Sequence, residues 1–319
     1  MTTPERRFYI SICIVIASLL SSCAGAQTSP EPVSAGPAVL PQSINYDRGT
    51  RNGINKGGIG EIRTEKLASK LMGRDMPYRV VLPAGYDDKR PERYTTVYLL
   101  HGLTGHYNDW TDLSKAAELA TTHRFIIVTP EGNNGWYSDN SGRGKDNYES
   151  YIISELVPEV DKNYRTLADR SHRIIAGLSM GGYGAVKFGL KHPEMFMLVG
   201  SFSGAFATSE WSSRSGGNRM IGKTVDVALG PPGSELRKAN DIFALTRQLT
   251  PEQVSALPHL YLSCGMQDTM IKTNNDFVAL LKEKQIPYEF RTPSGGHDWT
   301  FWGAQLVQFF EVADRLLKS

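Results

Sequence analysis

A serine with glycines two positions to either side, Gly177-Leu178-Ser179-Met180-Gly181, carries the first chemical signal in this sequence. A hydroxyl becomes a useful nucleophile only when it stands clear of the backbone and a base takes its proton. The apolar run RIIAGL (173–178) predicts a buried strand before Ser179, and GGYGAVKFGLKH (181–192) predicts a helix after it, ended by Pro193. The five-residue motif alone arises often by chance. Strand before and helix after point instead to a sharp turn that lifts the hydroxyl above a sheet, in a strained backbone that only small neighbours permit. A helix start behind Ser179 also favours negative charge developing there.

Ser179 then needs a base, and the base needs a third group to orient it. Of seven histidines, His297 follows Ser179 in a loop (SGGHDW) after a late strand, with glycines that let the loop reach back. His192 reads as a residue at a helix end before Pro193, and His259 as a residue leading into a strand. The orienting acid belongs at the end of the strand that precedes the last strand and its loop. Asp268, in CGMQDTM after HLYLSC, fits that place. Asp276 falls within the following helix, and Asp298 adjoins the base too closely to hold it. An oxyanion would need two further donors: the backbone N–H of Met180, and that of Leu103 in the loop His101-Gly102-Leu103-Thr104-Gly105. His101 itself reads as a brace for that loop.

These residues must be positioned by a regular scaffold. IGEIRTEKL (59–67) and YRVVLP (78–83) alternate as paired antiparallel strands. Strands follow at 95–100, 124–130, 173–178, 197–204, 259–265 and 288–293. Helical patterns separate or follow them at 113–122, 148–164, 181–192, 274–285 and 301–317. The alternation predicts the α/β class and an α/β-hydrolase plan, a mostly parallel eight-stranded sheet with helices on both faces. Residues 205–258, polar and interrupted by Pro231-Pro232, read as an irregular insertion near the ligand-binding edge of the sheet. The catalytic domain is expected over 59–319.

The N-terminal stretch reads as something else. Arg6 and Arg7 precede the apolar FYISICIVIASLL (8–20), the pattern of an export signal. Leu20-Ser21-Ser22-Cys23 resembles a lipobox, so residues 1–23 are expected to be a lipoprotein signal, with Cys23 lipidated and anchoring the protein to a bacterial membrane, periplasmic or at the cell surface. Ala24-Gly25-Ala26 offers an alternative cleavage site for ordinary secretion. Residues 24–58 are rich in Pro, Gly, Ser and Asn and read as a flexible linker. With three cysteines, one lost with the signal and one lipidated, Cys264 is left without an intrachain partner. The balance of 35 basic and 33 acidic residues gives no reason to expect a nucleic-acid partner. No H-E-x-x-H or C-x-x-C pair supports a metal site. Residues 217–224 match the letters of a phosphate-binding P-loop, but polar residues precede them where that loop needs a buried strand, so the match is read as coincidence.

LLHGLTGHYNDW (99–110), GLSMGGYGA (177–185), CGMQDTM (264–270) and SGGHDWTFW (294–302) together resemble the esterase D-like family of α/β-hydrolases. That family includes tributyrin-type esterases, S-formylglutathione hydrolases, feruloyl esterases and antigen 85 mycolyltransferases. The resemblance spans roughly residues 59–318 and implies Ser179, Asp268 and His297 as a triad, with Leu103 and Met180 as the oxyanion hole. It also marks PEGNNGWYSDN (130–140) as a substrate-lining loop, making Trp136, Tyr137 and Trp299 substrate-wall candidates, and Trp302 a wall or packing residue. The expected activity is hydrolysis of a small or carbohydrate-borne ester, with short acyl, acetyl or feruloyl groups, through an acyl-enzyme. No cofactor is expected, because the triad supplies nucleophile, base and electrostatics. The alternatives are antigen 85-type acyl transfer to a sugar and a non-catalytic carbohydrate-binding lipoprotein. Binding alone would need none of the triad residues.

Overall fold

The computed structural model describes residues 59–140, 146–214 and 219–318. The expected signal, Cys23 and the linker over 24–58 lie outside them. Eight strands form one sheet in the order β1-β2-β4-β3-β5-β6-β7-β8. β1 (Glu61–Ser69) and β2 (Arg74–Leu82) pair antiparallel at one edge, and β2 meets β4 (Ile126–Pro130) antiparallel. β3 (Thr96–Leu100), β4, β5 (Arg173–Leu178), β6 (Leu198–Phe202), β7 (His259–Ser263) and β8 (Tyr288–Arg291) run parallel.

The edge strand β8 is half-buried and mixed in sequence, whereas β3, β4, β5 and β6 are buried along their whole length, which explains why they read as largely apolar runs. Their side chains alternate between two cores. Val97 and Leu99 of β3 pack with Ile174 and Ala176 of β5 beneath the C-terminal helix Trp299–Leu316 and the helix Ala116–His123. Tyr98 and Leu100 pack on the opposite face with Ile175 and the helix Met180–Lys191. A one-residue slip of any strand would exchange these sets, so the register is strongly specified. The C-terminal ends of β3, β5, β7 and β8 consequently share one edge, where open α/β sheets hold their ligands.

Two features differ from the reading of the sequence. The segment 205–258 is largely helical rather than irregular, with helices Arg219–Leu229, Glu235–Ala239, Ile242–Gln248 and Pro251–Ala256. Most are too short for periodicity to show, but their caps are real. Ser234 accepts from Arg237 N–H, Asp241 from Phe243 and Ala244 N–H, and Thr250 with Gln253 closes a capping box. The six described residues of the P-loop look-alike, 219–224, sit inside the first of these helices, and the described residues 205–214 contain no strand. Second, the helical run 148–163 contains a π-helical turn, Tyr151–Leu156, just before Pro158. Proline cannot donate to the preceding turn and crowds its carbonyl, and the wider turn relieves both problems. Glu155 on that turn accepts from Lys70 and Leu71 N–H and from the Ser69 hydroxyl, closing the β1–β2 connection.

The helical insertion is pinned by Arg237, which is buried. It ion-pairs with Asp226 at 2.8 Å and donates to the carbonyls of Trp211 and Gly230. Arg237→Leu would leave Asp226 without its counter-charge and two carbonyls without their donor. A loss of about 3 kcal/mol in urea unfolding is expected, against less than about 0.5 kcal/mol for Lys272→Ala, whose pair with Asp276 is exposed.

Candidate active site

Ser179 sits in the one-residue turn between β5 and the helix Met180–Lys191, with φ 53° and ψ −114°. A non-glycine residue rarely adopts this conformation, and it persists only where its surroundings over-determine it. Here they do. Ser179 N–H donates to Phe202 O at 2.9 Å, while Ser179 O accepts from Tyr183 and Ala205 N–H, each at 3.0 Å. Gly181 passes so close to β3 that a Cβ there would stand 2.3 Å from Leu100 O, and one on Gly177 would stand 2.4 Å from the Gly181 backbone. The flanking glycines are thus required by backbone-to-backbone contact.

The two loops at the far end of the sheet bring in the partners. His297 Nε2 lies 3.0 Å from Ser179 Oγ, and His297 Nδ1 lies 2.9 Å from Asp268 Oδ2 and 3.1 Å from Oδ1. The Asp268 side chain is fully buried while that of His297 keeps 31% exposure. Burial alone would raise the Asp268 carboxyl, but the His297 hydrogen bond, the Ser203 hydroxyl and Met270 N–H hold it below its ordinary value. A buried carboxylate that stays ionised can fix one tautomer of the imidazole, leaving Nε2 free to take the serine proton. The edge of Trp302 packs against the imidazole, ring centres 5.0 Å apart, and its indole N–H donates to Ser203 Oγ. The neighbouring Cys264 thiol is buried and pushed up to about 12, so it is no rival nucleophile.

On the other side of Ser179, the loop 101–105 follows β3. Met180 is the first residue of its helix, so its N–H has no carbonyl of a preceding turn to meet. Leu103 is half-buried in the same loop as Thr104, whose N–H donates to Asn134 Oδ1. The organiser of this region is Glu131, which the sequence reading did not single out. Its buried carboxylate lies 3.2 Å from His101 Nε2 and 3.3 Å from His106 Nδ1, and accepts from Tyr107 and Asn133 N–H. His101 Nδ1 donates to Gly102 O at 2.7 Å, which bears out its reading as a brace. Burial would raise the Glu131 carboxyl, yet the His101 contact and the two backbone donors pull it down to about 2.

The aromatic candidates require correction. Trp136 and Tyr137 are buried, at 1% and 0% exposure, so they form no open wall. Tyr137 donates its hydroxyl to His101 O, and Trp136 donates to Thr224 Oγ1 of the helical insertion. Both have positive φ, and the Tyr137 carbonyl accepts from Lys187 at 2.7 Å. Lys187 is wholly buried. Its desolvation, only partly offset by Glu149, pulls it down to about 8. These residues brace the loop from behind. Trp299 is half-buried and packs edge-on between Trp110 and Trp302. Asp298 caps the last helix by accepting Phe301 N–H, and Asp276 pairs with Lys272 in solvent.

No group of three or more His, Cys, Asp or Glu side chains among the described residues is arranged to hold a metal ion, and no described helix is long and apolar enough to cross a membrane. A 460 Å³ cavity lies elsewhere, lined by charged residues including Arg63, Glu65, Asp161 and Arg165. It contains none of Ser179, His297 or Asp268.

The sheet order and the strained serine at the end of β5 define an α/β-hydrolase. The chain belongs to the family described as "Putative esterase", whose model matches residues 69–311, and is an enzyme of the serine-esterase class. It is 28% identical over 252 residues to an acetyl esterase of Caldicellulosiruptor saccharolyticus, covering 76% of this chain and 94% of that one. It is 35% identical over 253 residues to an esterase of Mycobacterium tuberculosis, covering 73% of this chain but only 54% of that longer protein. Among solved structures, a ferulic acid esterase superposes with a TM-score of 0.70 at 26% identity, covering 82% of this chain and all of that one.

The Glu131 cluster makes the fold acid-sensitive in a defined window. A carboxyl held below its unfolded value contributes stability above that value and loses it as pH falls toward the folded one. Glu131 should therefore lose its contribution as pH drops from about 4.5 to about 2. In urea unfolding, Glu131→Gln is expected to be clearly less stable than the native protein at pH 6 and nearly level with it at pH 2.5.

Proposed function

We propose that this enzyme hydrolyses carboxylic esters through an acyl-enzyme on Ser179, with His297 as proton shuttle and Asp268 as its orienting carboxylate. The observation that carries this reading is the continuous chain Asp268–His297–Ser179, with both links at hydrogen-bonding distance. Ser179 Oγ attacks the ester carbonyl while its proton passes to His297 Nε2. The imidazolium formed is stabilised by the ionised Asp268 beside it. The oxyanion is received by the N–H groups of Met180 and Leu103, at the start of a helix whose dipole favours the charge. Collapse expels the alcohol, which takes its proton from His297 Nε2. Water, activated by the same imidazole, then releases the acid.

For the substrate, the relatives named acetyl esterase and ferulic acid esterase support a small acyl group, acetyl or feruloyl; a carbohydrate as its carrier is part of the proposal. The N-terminal signal-like segment supports an extracytoplasmic site of action, with the protein anchored through Cys23.

Purified protein lacking residues 1–23 should hydrolyse p-nitrophenyl acetate and methyl ferulate. Ser179→Ala should lower kcat on the order of 10⁵- to 10⁶-fold, and Asp268→Asn about 10⁴-fold, because the amide stabilises the wrong tautomer. Equal rates in native and Ser179→Ala protein would refute the assignment, and faster turnover of the acetyl than of the feruloyl ester of one common alcohol would identify an acetyl esterase.

A further inference from the structure

The alignment of His297 on Asp268 depends on two loops that extend beyond the sheet, one after β7 and one after β8. Within the sheet their strands are joined by a regular parallel ladder that ends at Ser263 and Arg291. Beyond it the pairing continues irregularly. Cys264 N–H donates to Arg291 O at 3.1 Å, Met266 N–H to Pro293 O at 3.0 Å, and Gln267 N–H to Gly295 O at 3.0 Å. The loops approach so closely that a Cβ on Gly265 would stand 2.1 Å from Gly295 O.

At the last of these pairings, backbone alone cannot close the bridge. Gly295 is turned to φ 154°, and its N–H needs an acceptor. The side chain of Gln267 supplies it. Oε1 accepts from Gly295 N–H at 2.7 Å and from the Ser294 hydroxyl at 3.2 Å, while the Gln267 backbone N–H donates to Gly295 O. One residue therefore holds both the donor and the acceptor of Gly295. It immediately precedes Asp268, and Gly295 lies two residues before His297. Gln267 is exposed and packs in no core, so its side chain has little other structural task.

We infer that Gln267 is a positioning residue that clamps the histidine loop to the acid loop and so sets the reach of His297 toward Ser179. The clamp acts through geometry. It touches neither substrate nor the reacting atoms, and its effect should appear in kcat with substrate binding unchanged. A misplacement on the order of 1 Å in such a relay can cost about 100-fold. The loss of a hydrogen-bonded clamp in solvent should cost less, about 10- to 30-fold.

The inference rests on the proposed triad, and the test separates the two. Gln267→Met keeps length and shape but has no oxygen, whereas Gln267→Glu keeps an acceptor at the same place. Kinetics on p-nitrophenyl acetate and amide hydrogen exchange at Gly295 should be measured for both variants beside Ser179→Ala. Gln267→Met is expected to lower kcat about 10- to 30-fold with KM within about twofold, to speed exchange at Gly295, and to leave Tm unchanged. Gln267→Glu should restore most of kcat and the slow exchange. A kcat within about twofold of native in Gln267→Met, or equal impairment of the two variants, would overturn the inference. So would a loss carried by KM, or unchanged exchange at Gly295. Native activity that survives Ser179→Ala would instead refute the triad and remove the relay that the clamp is inferred to set, while the exchange data would still report whether the clamp holds Gly295.

Discussion

The backbone of Ser179 occupies a conformation that costs on the order of 1–3 kcal/mol, and the C-terminal edge of the sheet is built around holding it there. Its N–H and carbonyl are tied to the end of β6 and the segment just beyond it, at Phe202 and Ala205, and the carbonyl also accepts from the first turn of its own helix. Gly177 and Gly181 close the turn from the inside with backbone against backbone, where a methyl group would collide with Leu100 O or with Gly181 itself. With the turn fixed, the Cα–Cβ bond of Ser179 has one direction, and the hydrogen bond to His297 Nε2 selects the position of Oγ. The other groups of the site need only be brought within reach of it.

Two buried carboxylates do this from opposite sides. Strand order places the loops of β3 and β4 on one side of Ser179 and those of β7 and β8 on the other. Glu131, after β4, gathers His101, His106 and the amides of Tyr107 and Asn133, and so shapes the loop that carries Leu103. Asp268, after β7, holds His297. Each would be protonated more readily if burial acted alone, and each is kept ionised by donors converging on it. The cost of burying charge is met at each by the same contacts that position a working group. Lys187 follows the same logic behind the site, a buried cation held by Glu149 and the Tyr137 carbonyl.

Much of this was legible in the sequence because it rests on local signals. Most of the parallel strands are short apolar runs between helices, and Gly177-Leu178-Ser179-Met180-Gly181 lies on a strand-to-helix junction, so the sheet and the turn could both be read. Asp268 and His297 could be chosen because strand order fixes which loops face the serine. What escaped is contact between segments distant in sequence. Nothing in PEGNNGWYSDN tells that Trp136 and Tyr137 turn inward, since an aromatic residue in a loop looks the same whether it lines a cleft or fills a core. Glu131 and Lys187 looked like ordinary charges until the fold enclosed them. The three short helices after Pro232 were missed because they are held by caps and by Arg237 rather than by a long amphipathic repeat, whereas Arg219–Leu229 buries Gly222, Val225, Ala228 and Leu229 at a helical spacing that the sequence did carry.

The most direct measurement of whether the strained serine and its relay form one reactive unit is covalent capture. The protein would be treated with one equivalent of a phosphonate ester that reacts only with activated hydroxyls, then analysed by intact mass and peptide mapping. The geometry requires a single adduct, on the peptide containing Ser179, with capture slowed by several orders of magnitude in His297→Ala. Capture at another residue, or capture at Ser179 that proceeds equally fast without His297, would contradict it.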